Sequence, residues 1–172
     1  MIAGMSTPIG ASLCACAELR RAARAATQFY DLVLQPSGLK ATQFIALKTI
    51  AEAGELAQWQ FARDHSVAVE TLSRRLAALR RKGLITVRTG KNHGERLYRL
   101  TEQGEEVLRT AIPYWERAQH RFKQTVGDPE WKFLMDICRR AVEAAQKAEV
   151  LRAPNVFSST ATETAGLGNG AS

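Results

Sequence analysis

The sequence has 172 residues, 45% of them hydrophobic, and a formal net charge of +7. These values suit one globular domain and exclude a wholly disordered chain, a collagen and a disulfide-dense miniprotein. No apolar run reaches the roughly 18 to 20 residues of a membrane span, and a secretory signal pattern is lacking, so we expect a cytoplasmic protein. The three cysteines, Cys14, Cys16 and Cys138, are too few for a disulfide framework and predict free thiols.

The excess positive charge is confined to one segment. Residues 63–99 hold ten of the 24 Lys and Arg residues but three of the 17 Asp and Glu residues, so the rest of the chain is electrically balanced. A localised basic patch on a neutral scaffold is typical of a polyanion-binding surface. The alternative is a solvated basic helix face, and the surrounding pattern has to decide between them.

Apolar residues at spacings of three and four predict a first helix over residues 11–34, which Pro36 and Gly38 end. A second helix follows from Lys40. Because lysine cannot cap a helix, the cap is weak or comes from Thr42. The residues predicted to face the core in this helix are Phe44, Leu47 and Ile50.

Two more helices are predicted over residues 56–64 and 68–82, separated by a turn at residues 65–67. The first should bury Trp59 or Phe61 together with Ala62. The residues predicted to face inward in the second are Leu72, Leu76 and Leu79, and Gly83 is its natural C′ residue.

The pattern then changes to that of a β-hairpin, with strands at residues 84–88 and 96–100 around a loop that contains two glycines. Thr101 can cap a long helix to about Val126, which Pro113 should kink or split.

Asp128 and Pro129 form an N-cap and N1 pair that opens a final helix to about residue 150. The small polar residues 153–172 predict a flexible tail.

Helix, turn, helix and basic hairpin together predict a winged helix-turn-helix, in a mainly α fold with a small β-hairpin wing. The second helix of such a unit, the recognition helix, enters the major groove. Arginine can read guanine there, Ser and Thr can contact bases or phosphates, and the cations of the wing can reach a minor groove. The candidate DNA-binding residues are Thr71, Ser73, Arg74 and Arg75 in the recognition helix, and Arg88, Lys91, His93 and Arg96 in the wing.

Three groups of residues carry a family resemblance: Gly38-Leu39 with Gln43, Thr71-Leu72-Ser73-Arg74-Arg75-Leu76 with Gly83-Leu84-Ile85, and Tyr98-Arg99-Leu100-Thr101 with Gly104. In this order and spacing the chain resembles the MarR family of bacterial transcription regulators over residues 12–148. The resemblance implies a MarR-type domain over residues 1–152, with the winged unit at about residues 40–100. It also implies a homodimer whose helices 11–34 and 102–150 interlock, each subunit reading half of a pseudo-palindromic operator.

The wing departs from the family pattern. MarR proteins usually carry an Asp-x-Arg motif there, and the matching positions in this sequence are Asn92 and Gly94. We therefore expect Lys91 or Arg96 to replace the arginine that enters the minor groove.

Cys16 is similar in position to the reactive cysteine of the organic-hydroperoxide-sensing branch of the family, which tyrosines hydrogen-bond. Tyr30 would be one such tyrosine. At 1.5 Å per residue the two lie about 21 Å apart on one straight helix, so the tyrosine would have to come from the other subunit. The alternative is that Cys16 is a small buried helix residue. Cys14 and Cys16 lack the spacing of a zinc motif and the histidines are scattered, so neither a metal nor a cofactor is expected.

The sequence thus predicts a cytoplasmic, homodimeric, sequence-specific regulator of transcription that binds double-stranded DNA and is not an enzyme. We expect a repressor that a small ligand or thiol oxidation releases from its operator. The alternatives are a thiol-dependent enzyme that reacts with peroxide through Cys14 or Cys16, and a winged-helix adaptor that binds protein.

Overall fold

The computed structural model describes residues 14–92 and 94–150, which form six α-helices, one 3₁₀ turn (Gln35–Ser37) and three strands. The helices are α1 (Ala15–Leu34), α2 (Ala41–Ala53), α3 (Gln58–Asp64), α4 (Val69–Arg81), α5 (Glu102–Val126) and α6 (Asp128–Val150). The strands are β1 (Leu56–Ala57), β2 (Ile85–Thr89) and β3 (Arg96–Leu100). The predicted mainly helical winged helix-turn-helix is confirmed. The predicted tail at residues 153–172 lies outside the described residues.

The chain divides into two compact units at Gly127. The first contains α1 to α5 and the sheet. The second contains α6, which begins at Asp128, where the sequence predicts its cap.

The core of the first unit fixes which face of α4 points outward. Leu72, Leu76 and Leu79 are each 1% exposed, as their spacing predicts, and they belong to one buried cluster with three side chains of α2. Those three are Phe44, Leu47 and Ile50. Burying a side chain of this size contributes about 1.5–3 kcal/mol, so the orientation of α4 is strongly determined.

The sheet has a third strand that the sequence pattern does not predict. β2 and β3 form the expected antiparallel hairpin, and β1 pairs with the other edge of β3, Leu56 opposite Tyr98 and Ala57 opposite Leu97. The prediction that Leu56 begins a helix is therefore wrong. Pairing with β3 satisfies the backbone of these two residues, and α3 starts only at Gln58.

Within α3 the structure decides between two candidates for the core. Phe61 and Ala62 are buried, whereas Trp59 is 54% exposed. The aromatic side chain that packs inside is therefore Phe61.

The start of α2 is capped from another helix. Asp31 Oδ1 of α1 accepts a hydrogen bond of 2.7 Å from the backbone N–H of Ala41, and Gln43 Oε1 accepts one of 3.1 Å from that of Lys40. The cap that Lys40 cannot supply thus comes from Asp31, ten residues before Ala41, rather than from Thr42.

The ends of α5 follow the prediction more closely. Thr101 Oγ1 accepts a hydrogen bond of 2.9 Å from the N–H of Gly104, which is the expected N-cap. Pro113 does not split the helix, which is continuous from Glu102 to Val126. Proline has no backbone N–H, so α5 has one backbone hydrogen bond fewer at this position. Pro113 is exposed, which places this gap on the solvent-facing side of the helix.

Gly104 gives a testable constraint on this packing. A Cβ at Gly104 would lie 2.0 Å from the carbonyl oxygen of Leu84, which itself accepts a hydrogen bond from Thr101 N. Alanine normally stabilises a helix relative to glycine, but here we expect Gly104→Ala to lower the free energy of unfolding by about 1–3 kcal/mol through overpacking. Urea denaturation measures the change. The control is Glu105→Ala, an exposed neighbour that should stay within about 0.5 kcal/mol of wild type. A Gly104→Ala protein as stable as wild type would contradict the close approach of α5 to Leu84.

Candidate nucleic-acid interface

All ten basic side chains of residues 63–99 are exposed. They are distributed over α3, α4 with its C-cap, the two strands of the hairpin and the loop between them. These residues are Arg63, Arg74, Arg75, Arg80, Arg81, Lys82, Arg88, Lys91, Arg96 and Arg99. The recognition helix and the wing therefore present their cations to solvent, as a surface that binds a polyanion requires.

The recognition helix is α4, and its predicted DNA-binding residues differ in exposure. Arg74 and Arg75 are exposed, and the helical spacing places Arg74 opposite the buried leucines, whereas Thr71 and Ser73 are half-buried. Within the described parts of the chain, neither arginine is in an ion pair. Both guanidinium groups are thus available to a ligand outside the molecule.

Gln58, the first residue of α3, connects the recognition helix to the wing. Its Nε2 donates a hydrogen bond of 2.5 Å to Ser73 Oγ, and its Oε1 accepts one of 3.3 Å from the hydroxyl of Tyr98 in β3. Because Ser73 Oγ accepts from Gln58, its own hydroxyl proton remains available to donate. Sequence reasoning misses this residue, since a single glutamine at a helix start carries no pattern.

The tip of the wing places Lys91 and Arg96 in exposed positions, as predicted. Asn92 is exposed too, and Gly94 has a φ of 76°, a turn conformation that favours glycine. The predicted site residue His93 lies outside the described residues.

Glu95 in the wing contacts α3. Trp59 Nε1 donates a hydrogen bond of 3.3 Å to Glu95 Oε1, and the Arg63 guanidinium lies 5.2 Å from the centre of the Trp59 ring. The hydrogen bond from the backbone N–H of Asn92 lowers the pKa of Glu95, and the bond from Trp59 adds to this effect. From the sequence alone, Glu95 is only one of three acids within a basic segment, so its contact with α3 could not be predicted.

Arg88, one of the predicted wing residues, already has an acidic partner. Its Nε and Nη2 lie 2.7 and 2.5 Å from the two carboxylate oxygens of Glu55, which follows the end of α2. This hydrogen-bonded pair lowers the pKa of Glu55 and raises that of Arg88. The charge of Arg88 is therefore locally compensated.

The two predicted redox residues are not brought together within one chain. Cys16 is exposed near the start of α1, and Tyr30 lies about 21 Å further along the same continuous helix. The Tyr30 hydroxyl donates a hydrogen bond to Gln119 Oε1 of α5, and burial raises the pKa of Tyr30. The other two cysteines, Cys14 and Cys138, are exposed as well.

Residues 14–92 and 94–150 lack two further features. This part of the chain contains no helix that is both long and apolar enough to cross a bilayer. It also contains no group of His, Cys, Asp and Glu side chains that could hold a metal ion.

The structure is similar to those of several transcriptional regulators. The regulator MosR of M. tuberculosis, in complex with DNA, is 35% identical with a TM-score of 0.72, and the match covers 78% of this chain and 98% of MosR. A mutant of MarR from E. coli complexed with operator DNA is 17% identical with a TM-score of 0.66, covering 73% of this chain and 91% of MarR. NadR in complex with 4-hydroxyphenylacetate is 17% identical with a TM-score of 0.62, covering 80% and 98%. The latter two show a shared fold. No protein-family model matches the chain, and no curated protein matches it.

Proposed function

The chain belongs to the MarR family of transcriptional regulators, and we propose that it binds a pseudo-palindromic operator in double-stranded DNA as a homodimer. The observation that carries this proposal is the exposure of all ten cations of residues 63–99 on the recognition helix, the wing and their immediate supports. The complex of MosR with DNA supports it. A regulator of chromosomal genes works in the cytoplasm, which we propose as its compartment, and we assign it no catalytic step.

The proposed contacts divide between the two grooves. Near the start of α4, Arg74 and Arg75 would read base edges or phosphates in the major groove, with Thr71 and Ser73 as hydroxyl donors. In the wing we assign the minor-groove contacts to the candidates Lys91, His93 and Arg96. Arg88 can contact DNA only by leaving Glu55, so we assign it a smaller contribution.

Exposed apolar side chains support the homodimer. Monomeric proteins seldom leave large apolar patches uncovered. On α1, Leu19 and Leu32 are exposed by 46% and 70%, and α6 exposes Phe133, Met135 and Val142. We propose that α1, α5 and α6 form the dimer interface.

We propose that the protein is a repressor whose operator occupancy falls when an oxidant or a small ligand acts on it. The position of Cys16 on α1 supports thiol oxidation, because a change at this residue would disturb the proposed dimer interface. The complex of NadR with 4-hydroxyphenylacetate supports control by a ligand in a protein of this fold.

The salt dependence of DNA binding tests the function itself. If the dimer neutralises about six to ten phosphates, affinity should fall roughly 10³- to 10⁵-fold between about 50 and 200 mM salt. Lys91→Ala should reduce the slope of log affinity against log salt concentration by about one per subunit, because one phosphate contact is lost. Lys40→Ala, which removes an exposed cation outside both the basic segment and the proposed dimer interface, is the matched control and should leave the slope unchanged. A nearly flat salt response of the wild type would reject DNA binding and favour a protein-binding adaptor.

Sequence readout is tested at Arg74. We expect Arg74→Ala to cost about 1–3 kcal/mol per half-site and to relax the preference at one base pair, since a bidentate contact to guanine would be lost. Lys91→Ala should weaken specific and random DNA to the same extent. Competition binding against a library of operator variants measures both. If Arg74→Ala loses the same affinity for operator and random DNA, Arg74 contacts phosphates rather than bases.

Redox control is tested at Cys16. Wild type treated with an organic hydroperoxide should lose operator affinity, and Cys16→Ser should retain it, with Cys138→Ser behaving as wild type. Consumption of one equivalent of peroxide per reacting thiol is expected of a sensor, whereas turnover with a reductant would indicate an enzyme. If both wild type and Cys16→Ser keep full affinity after oxidation, Cys16 is a packing residue and a small ligand is the effector.

A further inference from the structure

We propose that Glu95 and Trp59 hold the loop between β2 and β3 in the position from which it enters DNA. Glu95 is then a positioning residue for DNA binding, even though its charge has the same sign as that of DNA. This inference rests on the proposed function.

The carboxylate of Glu95 bridges the loop to α3. Its Oε2 accepts hydrogen bonds from the backbone N–H and the side-chain amide of Asn92, at 3.3 and 3.4 Å. Its Oε1 accepts the indole N–H of Trp59 at 3.3 Å. One carboxylate thus joins the tip of the wing to a helix that lies 36 residues away in the sequence.

The loop is also closed by the backbone around Glu95. Gly90 N donates to Glu95 O at 2.9 Å, and Glu95 N donates to Asn92 O at 3.0 Å. The side chain of Glu95 folds back over Gly90, where a Cβ would lie 2.2 Å from Glu95 Oε2. The carboxylate therefore occupies a place that only glycine at position 90 leaves open.

The anchor at the other end of the bridge is itself fixed. Trp59 lies on α3, whose Phe61 is buried in the core and whose Gln58 hydrogen-bonds to Ser73 of the recognition helix. The ring of Trp59 is 54% exposed and stacks under the Arg63 guanidinium rather than inside the protein. Through Trp59, Glu95 ties the wing loop to the same helix that supports α4.

The sign of the charge separates this role from that of a passive surface acid. A carboxylate beside DNA is repelled by the phosphates, so removing a passive one should strengthen binding. If Glu95 positions the loop, neutralising it should weaken binding instead, because Lys91 would no longer be presented to the groove.

The experiment compares Glu95→Gln with Glu70→Gln, which removes an exposed acid of the same basic segment, in the first turn of α4. Affinity is measured on random duplex DNA at one low salt concentration, with thermal unfolding as the check on folding. We expect Glu70→Gln to bind as tightly as wild type or more tightly. Glu95→Gln should bind about three- to ten-fold more weakly, the effect of one exposed hydrogen bond.

Two further variants test the bridge itself. Trp59→Phe keeps the ring under Arg63 but lacks the indole donor, and it should weaken binding to a similar extent as Glu95→Gln. The double variant should bind no more weakly than Glu95→Gln alone, because both changes break one contact. Lys91→Ala should cost less affinity in the Glu95→Gln background than in wild type, which a loss of overall stability would not produce. In the free protein, the indole N–H resonance of Trp59 should shift in Glu95→Gln.

The inference is overturned if Glu95→Gln binds as tightly as Glu70→Gln, or if Trp59→Phe binds as wild type does. Additive losses in the double variant would overturn the bridge as well. In each of these cases the wild type still binds DNA in a salt-dependent manner, so the proposed function stands. A wild type that fails to bind random DNA at low salt would overturn both.

Discussion

A protein that reads a major groove and the adjacent minor groove together has to hold two surfaces at the spacing of the duplex, whose grooves are about 12 and 6 Å wide. In this chain α3 connects the two surfaces that would do so, the recognition helix and the wing. Gln58 hydrogen-bonds to Ser73 of the recognition helix and to Tyr98 of the wing, and Trp59 beside it reaches Glu95. A helix of seven residues would not form alone, so α3 depends on the burial of Phe61 in the core. The exposed arginines of α4 gain a defined geometry only through these inward and lateral contacts.

The sequence predicts well the features that depend on residues close to one another along the chain. The leucines of α4 and the hydroxyl cap at Thr101 follow from local spacing, because each signal lies within a few residues of the feature that it predicts. β1 could not be predicted in this way. Two residues are too few for a period, and the pairing with β3 joins positions about 40 residues apart. The cap of α2 by Asp31 is hidden for the same reason, since the carboxylate comes from a different helix.

For the candidate interface, the sequence predicts where the site lies but not what each residue does. A count of charges along the sequence is sufficient to locate the basic segment, because its acids are few and the rest of the chain is balanced. The role of each residue depends on partners that a count cannot see. Arg88 contributes a positive charge to the count, yet Glu55, 33 residues away, compensates it. Glu95 subtracts a charge, yet its contacts with Asn92 and Trp59 make it part of the support of the wing loop.

The junction between α1 and α2 is held by two adjacent residues near the end of α1. Asp31 accepts the first N–H of α2 from Ala41 and lies 3.5 Å from Lys40 Nζ, while the adjacent Tyr30 donates to Gln119 of α5. One turn of α1 is therefore attached to two helices, and a shift of α1 cannot be absorbed there without breaking a cap or a hydrogen bond. α2 shares its core with α4, so the shift would pass to the recognition helix through close-packed side chains. Oxidation at Cys16, at the opposite end of α1, can use this route only by moving the helix as a body. A ligand that displaces α1 would act on the same junction.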